Sequence, residues 1–325
     1  MPNITFLIDE TPHWRSRIDA LQRDFTDLRI AVPTGEDETA EALAAADAVV
    51  AGRFPTERLE QSPGLRAIFV PFAGVNPFPL AQIQERGIDV FNSHGAAPFV
   101  AERILALTLA LLGRVAEADR KLRRGEWLRA EPEMFWHSLR GRNVVFLGAG
   151  HLAQEAAALM KPLAQSLTAW GRRQRSSPPP GFDRYTTDKT TALEQADLLV
   201  LTAPLTPLTE GILGAAELQQ LKDAFIVNVG RAQLIDEAAL YEALRDGTLA
   251  GFATDVHYVY KRGEDGPTMP SRFALHEMDN VVLTAHSAAH VTAARQANID
   301  GAFANMRAWL DGGTDLQRVD LDAGY

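Results

Sequence analysis

The sequence predicts an α/β protein of two domains, each built on a parallel sheet, and three observations carry that expectation. Short apolar runs alternate with helical patterns along the chain. The alternation pauses in one long helical stretch from about Pro98 to Arg124 and restarts at Asn143. At the restart stands FLGAGHLA (146–153), a strand, a glycine-rich turn and the opening of a helix. Parallel strands need a crossover and helices supply it, so β-α-β-α alternation reads as a parallel sheet covered on both faces.

ITFLID (4–9), RIAV (29–32), AVVAG (48–52), RAIFV (66–70) and DVF (89–91) read as buried strands of the first domain. Strands covered on both faces are continuous apolar runs rather than alternating ones. Helix formers such as ETAEALAAA (38–46) lie between them. PFVAERILALTLALLGRV (98–115) is apolar nearly all round, which predicts a buried helix between two bodies. NVVFLG (143–148), LTAW (167–170), DLLVLT (197–202), AFIVNV (224–229), GFATD (251–255) and NVVLTAH (280–286) supply the second set of strands. A last helix, about Ala288 to Asp311, is expected to return to the first domain. RSSPPPGF (175–182) and KRGEDGPTMPS (261–271) read as loops.

Composition narrows the function. A chain of 325 residues with net charge −10 and no basic stripe is a poor partner for nucleic acid, whose phosphates supply most non-specific affinity. The absence of cysteine removes disulfides, thiolate catalysis and Cys-ligated metals together. His94, His137, His151 and His290 lack metal-ligand spacing, and no metal is expected. The start MPNITFLIDE has no basic n-region, and no apolar run approaches the roughly 18 residues that span a bilayer. These features predict a cytoplasmic protein without membrane contact.

In the glycine-rich turn, Gly148 allows a tight turn and Gly150 a close approach of the backbone to a pyrophosphate. The amides of His151 and Leu152 open the helix, where an anion is favoured. Ala153 stands in the third small position. About 20 residues on, such folds place an acid on the ribose hydroxyls. Here AWGRRQRSS (169–177) offers Gly171, Arg172, Arg173, Arg175, Ser176 and Ser177 instead. Loss of the carboxylate removes its repulsion of a 2′-phosphate, and the arginines supply fork-shaped cationic donors. The expected cofactor is NADP(H), with NAD(H) possible; a solvated basic loop is the rival reading.

ADLLVLTAPLTPLTEGILGAAELQQLKDAFIVNVGRAQLIDEAAL (196–240), with FAGV (72–75), FVAE (99–102), TDV (254–256) and LTAH (283–286) in order, resembles the D-isomer-specific 2-hydroxyacid dehydrogenase family. The resemblance runs from about Arg66 to Arg295. It implies a Rossmann-type cofactor domain (98–288) inserted into a flavodoxin-like substrate domain (1–97 and 289–325), with the active site in the cleft. It further implies a homodimer, with Trp136 on the segment relatives use to pair subunits.

Reduction of a 2-oxo acid needs a proton donor, a cation for the carboxylate and a dry cleft. The resemblance implies His286 as acid/base and Arg231 as the clamp on carboxylate and carbonyl. The family's third residue is a carboxylate five places past the Asp of the "DV" pair; counting from Asp255 gives Tyr260. Either Tyr260 orients His286 without supplying charge, or Glu264 or Glu277 reaches it, or no carboxylate does. Without one, the imidazolium has less support. FAGVNPF (72–78) resembles the carboxylate-binding loop, with amides of Ala73, Gly74 and Val75 as donors, although Asn76 and Pro79 stand where acids are usual. Arg53 matches a substrate-contacting Arg of some relatives. Asp255, Thr108, Val229 and Gly230 are implied on the nicotinamide side, and Ala203 and Pro204 on the adenine side.

The leading reading is NADPH-preferring reduction of a small 2-oxo acid, of the glyoxylate or hydroxypyruvate type, to the D-2-hydroxy acid. The alternatives are a phosphoglycerate-type dehydrogenase and a dinucleotide-sensing, corepressor-like protein without turnover. The chain end at Tyr325 is expected to leave no room for the regulatory domain of the allosteric phosphoglycerate type.

Overall fold

A computed structural model describes residues 2–127, 135–261, 263, 266–314 and 316–325. The chain forms two units: Met1–Ala96 with His290–Tyr325, and Ala97–Ala289.

In the first unit, strands β1 (Asn3–Leu7), β2 (Arg29–Ala31), β3 (Ala48–Ala51), β4 (Ala67–Phe69) and β5 (Asp89–Phe91) alternate with helices α1 (Pro12–Asp24), α2 (Glu36–Ala44), α3 (Thr56–Glu60) and α4 (Leu80–Glu85). All pairings are parallel, in the order β2-β1-β3-β4-β5, which is the flavodoxin-like order. Successive strand residues face opposite sides. Val49 and Ile68 therefore join Leu43, Phe54 and Ile83 in one core, while Val50 and Phe69 join Trp14, Leu21 and Phe303 in the other. The C-terminal helix, Thr292–Leu310 (numbered α11 in chain order), covers the second core. Two buried asparagines tie it down: Ala96 N donates to Asn298 Oδ1 at 2.9 Å, and Asn305 Nδ2 donates to the Asn92 carbonyl at 2.9 Å.

The second unit opens with α5 (Ala97–Leu112) and α6 (Val115–Arg123). Its strands are β6 (Asn143–Leu147), β7 (Ser166–Trp170), β8 (Arg184–Thr186), β9 (Leu198–Leu201), β10 (Phe225–Asn228), β11 (Gly251–Thr254) and β12 (Val281–Leu283). The intervening helices are α7 (His151–Met160), α8 (Lys189–Glu194), α9 (Ala215–Gln220) and α10 (Glu237–Arg245). The sheet is parallel throughout, in the order β12-β11-β10-β9-β6-β7-β8. Counted from β6, that is the dinucleotide-binding order with one more strand, and its switch point lies between β6 and β9.

Three details depart from the sequence expectation. The helical stretch 98–124 is two helices, broken where Gly113 precedes Arg114 at φ 50°. Arg114 Nε donates to Glu117 Oε2 at 2.8 Å and so steadies the start of α6. Strand β8 has no counterpart among the expected strands, because RYT is short and half polar. Strand β12 ends at Leu283, so His286 follows the strand rather than closing it.

Candidate active site and cofactor turn

Parallel pairing puts every strand end of the second unit on one edge of its sheet. Gly148, Gly171, Ala203, Val229–Arg231, Asp255 and His286 follow β6, β7, β9, β10, β11 and β12 in turn. Topology alone thus gathers candidates scattered from position 148 to position 286 of the sequence.

The turn after β6 demands glycine. Gly148 has φ +119°, and a Cβ there would lie 2.7 Å from Thr202 Oγ1 and 2.8 Å from the Ala203 amide nitrogen. Gly150 caps α7 without a side-chain hydrogen bond, nothing lies within 4 Å of its Cβ position, and the first helical turn has no acid. His151 and Leu152 form that first turn, and Ala153 is buried beneath it. Open space at uncapped helix amides fits a phosphate group. Along the next strand end, Gly171 and Arg172 are half-buried, while Arg173 and Ser176 are exposed. Beyond β9, Ala203 is buried, and Thr209 Oγ1 donates to the Pro204 carbonyl at 2.6 Å, which holds that wall in place.

Two residues shape the part of this edge that carries Arg231 and His286, in roles that the sequence did not indicate. Asn228 is fully buried; its Oδ1 accepts from Gly230 N at 3.0 Å, and its Nδ2 donates to the Arg231 carbonyl at 2.9 Å. This folds the VNVGR turn and aims Arg231. Arg231 Nη1 donates to the Gly230 carbonyl at 2.7 Å. Burial pushes its guanidinium below the ordinary value, and the nearby Tyr260 opposes that shift.

Asp255, only 1% exposed, is the second. Its Oδ1 accepts from Thr284 Oγ1 at 2.6 Å and Ser287 N at 3.0 Å, and its Oδ2 accepts from Ala288 N at 2.8 Å. Both oxygens therefore brace the turn that holds His286 at φ 51°, a left-handed conformation that a non-glycine residue adopts only under constraint. Asp255 thus has a bracing role within the protein that its sequence motif did not reveal.

Tyr260 Oη lies 2.7 Å from His286 Nδ1 and accepts from the His257 backbone N–H at 3.0 Å. A phenol serves both states of the imidazole: it donates to a bare Nδ1 and accepts from a protonated one. Burial, with the Asp255 charge behind it, pushes the Tyr260 hydroxyl above its ordinary range, against the pull of the His257 N–H and Arg231. The hydroxyl thus keeps its proton at neutral pH. His257 is engaged elsewhere, its Nε2 donating to the Thr284 carbonyl at 2.7 Å.

The loop carrying Tyr260 is anchored at its base. Tyr258 N and Val259 N donate to the Pro270 carbonyl at 3.2 and 3.1 Å. The buried Glu237 carboxylate accepts from Ser271 Oγ at 2.9 Å, Arg272 N at 2.9 Å and Arg272 Nε at 2.6 Å. Glu264 lies outside the described residues. Glu277 pairs with His276 at 3.8 Å on a short 3₁₀ turn. Tyr260→Phe is expected to lower kcat about tenfold by loosening the imidazole, a modest share of the 10²–10⁴ that general acid–base catalysis contributes. Glu264→Gln is expected to leave the pH–rate profile nearly unchanged. The reverse ranking of the two variants would transfer the orienting role to Glu264.

The remaining candidates lie on other elements. Thr108 is 0% exposed inside α5, with its hydroxyl donating to the Ile104 carbonyl at 2.8 Å. In the first unit, Arg53 follows β3 and is exposed, and the 72–75 loop follows β4. Asn92 Nδ2 donates to the Ala73 carbonyl at 2.8 Å. Gly74 is half-buried, while the Val75 side chain is packed in the core, so only its backbone is left for a ligand. Trp136 is 66% exposed, beside the exposed Phe135. Among the described residues, no group of His, Asp and Glu is placed to hold a metal, and no helix is long and apolar enough to cross a membrane.

Comparison with known proteins fits this geometry. Residues 105–288, more than half of the 325, match the model of the D-isomer specific 2-hydroxyacid dehydrogenase NAD binding domain. The chain is 30% identical over 278 residues to a glyoxylate/hydroxypyruvate reductase of Arabidopsis thaliana, covering 84% of this chain and 83% of that one. It is 28% identical to D-3-phosphoglycerate dehydrogenase of Archaeoglobus fulgidus, covering 84% of this chain but 51% of the relative. A solved NADPH-dependent glyoxylate/hydroxypyruvate reductase from Sinorhizobium meliloti, in complex with NADP and malonate, superposes with TM-score 0.76 at 26% identity, over 98% of this chain and 97% of that one. Matches of this extent place the chain in the D-isomer-specific 2-hydroxyacid dehydrogenase family, as an NAD(P)-dependent oxidoreductase.

Proposed function

We propose that the protein uses NADPH to reduce a small 2-oxo acid, of the glyoxylate or hydroxypyruvate kind, to the D-2-hydroxy acid. The observation that carries the reading is the 2.7 Å Tyr260–His286 pair, on the sheet edge shared by Arg231 and the Gly148–Gly150 turn. The bound dihydronicotinamide supplies the hydride. The amides of Gly150, His151 and Leu152 hold its pyrophosphate, Gly171, Arg172, Arg173 and Ser176 receive the 2′-phosphate, and Ala203, Pro204, Val229 and Gly230 line the dinucleotide.

His286 delivers a proton through Nε2 to the carbonyl oxygen as hydride arrives at carbon, and Tyr260 holds Nδ1. Arg231 draws the substrate carboxylate and carbonyl by charge-assisted hydrogen bonds. Arg53 and the backbone of Ala73, Gly74 and Val75 are the proposed substrate-carboxylate contacts. The exposed Leu109, Val115, Leu122, Trp127, Phe135 and Trp136 support a homodimer through the α5–α6 region, which light scattering checks.

Steady-state oxidation of NADPH and NADH, side by side, against glyoxylate, hydroxypyruvate, 3-phosphohydroxypyruvate and phenylpyruvate tests the reading. Fast NADPH oxidation with one of the two smallest acids is expected. A preference for the phosphorylated acid would favour the phosphoglycerate-type alternative. Tight NADPH binding without turnover would mark a sensor. Arg172→Ala with Arg173→Ala is expected to raise the KM for NADPH by about 10- to 100-fold, the loss of one or two charge-assisted hydrogen bonds, and to spare NADH. Equal loss for both cofactors would remove the phosphate-clamp role.

A further inference from the structure

The loop after β7 is tied at four points to strand β8 and the residue that follows it. Gly171 N donates to the Thr186 carbonyl at 3.2 Å, and Gln174 Nε2 donates to Thr187 Oγ1 at 3.0 Å. The Tyr185 hydroxyl donates to the Arg173 carbonyl, and the Arg175 guanidinium carbon lies 5.7 Å from the centre of the Tyr185 ring. Tyr185 thus organises the cationic loop from a strand that the sequence did not reveal.

The same ring explains the glycine. A Cβ at Gly171 would lie 2.6 Å from Tyr185 Oη, 3.2 Å from Cε2 and 3.3 Å from Cζ. Gly171 is absent from the positive-φ glycines, so its backbone conformation is open to any residue. The requirement is therefore steric, and Tyr185 imposes it. The ring cannot step aside cheaply: it packs against the core that holds Phe146, Ala169 and Phe182, and its hydroxyl is bonded.

We propose that Tyr185 sets the cofactor preference by occupying the space that a ribose-binding carboxylate at position 171 would need, while holding the loop of Arg173 and Arg175 in place. This rests on the NADPH reading above and adds a steric component to it. Removing the arginines weakens the hold on a 2′-phosphate, but position 171 cannot accept a carboxylate for NADH until the ring is gone. Tyr185 is a positioning residue here and acts through Gly171 and the loop.

The test is a double-substitution cycle on the full chain: Gly171→Asp, Tyr185→Ala and the pair together. Affinities for NADPH and NADH are read by calorimetry, beside Tm. Gly171→Asp alone is expected to lower Tm and weaken binding of both cofactors. The pair is expected to return to the Tm of Tyr185→Ala and to bind NADH about tenfold or more tightly than Gly171→Asp does, a coupling within the range measured for residues in contact. Tyr185→Phe keeps the ring but loses the bond to the Arg173 carbonyl; it is expected to weaken NADPH binding and leave NADH binding unchanged. A purely structural tyrosine would shift Tm without this NADH-specific coupling.

Gly171→Asp alone gaining NADH affinity at unchanged Tm would overturn the proposal. Should the paired variant fail to fold, Gly171→Ala decides the steric part. A smaller Tm loss in the Tyr185→Ala background than in the wild type supports the lock, and an equal loss overturns it. Wild-type protein binding NADH as tightly as NADPH would instead overturn the cofactor reading, and the 171–185 coupling would still be measurable.

Discussion

His286→Asn is expected to lower kcat about 10³-fold, the middle of the range general acid–base catalysis supplies, while NADPH affinity stays within about twofold. Asparagine is the informative replacement. His286 is held at φ 51°, and asparagine is among the few side chains that tolerate the left-handed region. The turn braced by Asp255 should therefore survive, and only the proton donor is lost. His286→Ala should lose as much turnover with a small further drop in Tm, because alanine is less at ease at positive φ. Single-turnover rates with NADPH, beside binding titrations, check both variants. A variant keeping more than about a tenth of the wild-type rate would remove His286 from the acid/base role. Loss of NADPH binding in His286→Asn would point to a collapsed edge rather than to missing chemistry.

Arg231→Gln is expected to lower kcat/KM about 10³-fold, in line with the loss of a cation that holds a carboxylate and also stabilises charge developing on oxygen. The division between the two parameters matters more than the total. If Arg231 only anchors the carboxylate, KM rises and kcat is spared; if it also polarises the carbonyl, kcat falls as well. The second outcome is expected, because burial lowers the guanidinium pKa and leaves the cation in surroundings that screen its field weakly. Arg231→Lys keeps the charge but loses the fork, and should recover only part of the loss. Tm should hardly fall in Arg231→Gln, since the Asn228 hydrogen bonds that fold the turn go to the backbone of Gly230 and Arg231. An unchanged kcat/KM would leave the substrate carboxylate to other groups.

The two predictions differ in how far the sequence alone supports them. Arg231 and His286 were singled out through the family resemblance, while the α/β class and the strand–turn–helix at 143–153 were legible because each is written locally, as apolar runs and a glycine pair. Gly148 belongs here, since its φ of +119° leaves glycine as the only residue that fits. The environment of those residues was legible only in part: Tyr260 was one of several partners left open for His286, and the bracing by Asp255 was not foreseen. The Tyr260–His286 contact spans 26 positions, the Asp255 hydrogen bond to Ala288 spans 33, and both arise only where β11 and β12 lie side by side. Tyr185 reaches Gly171 across the β7–β8 pair, from a strand too short and polar to announce itself. The burial of Thr108 inside α5 was not legible either, since it depends on what packs against that helix. Periodicity and turn chemistry are properties of consecutive residues, so the sequence by itself determined the elements and the residue types that can do chemistry. Which of them meet depends on strand order and register, and only the tertiary structure decided that Tyr260 meets His286, that Asp255 braces its turn, and that the Tyr185 hydroxyl stands against the Cβ position of Gly171.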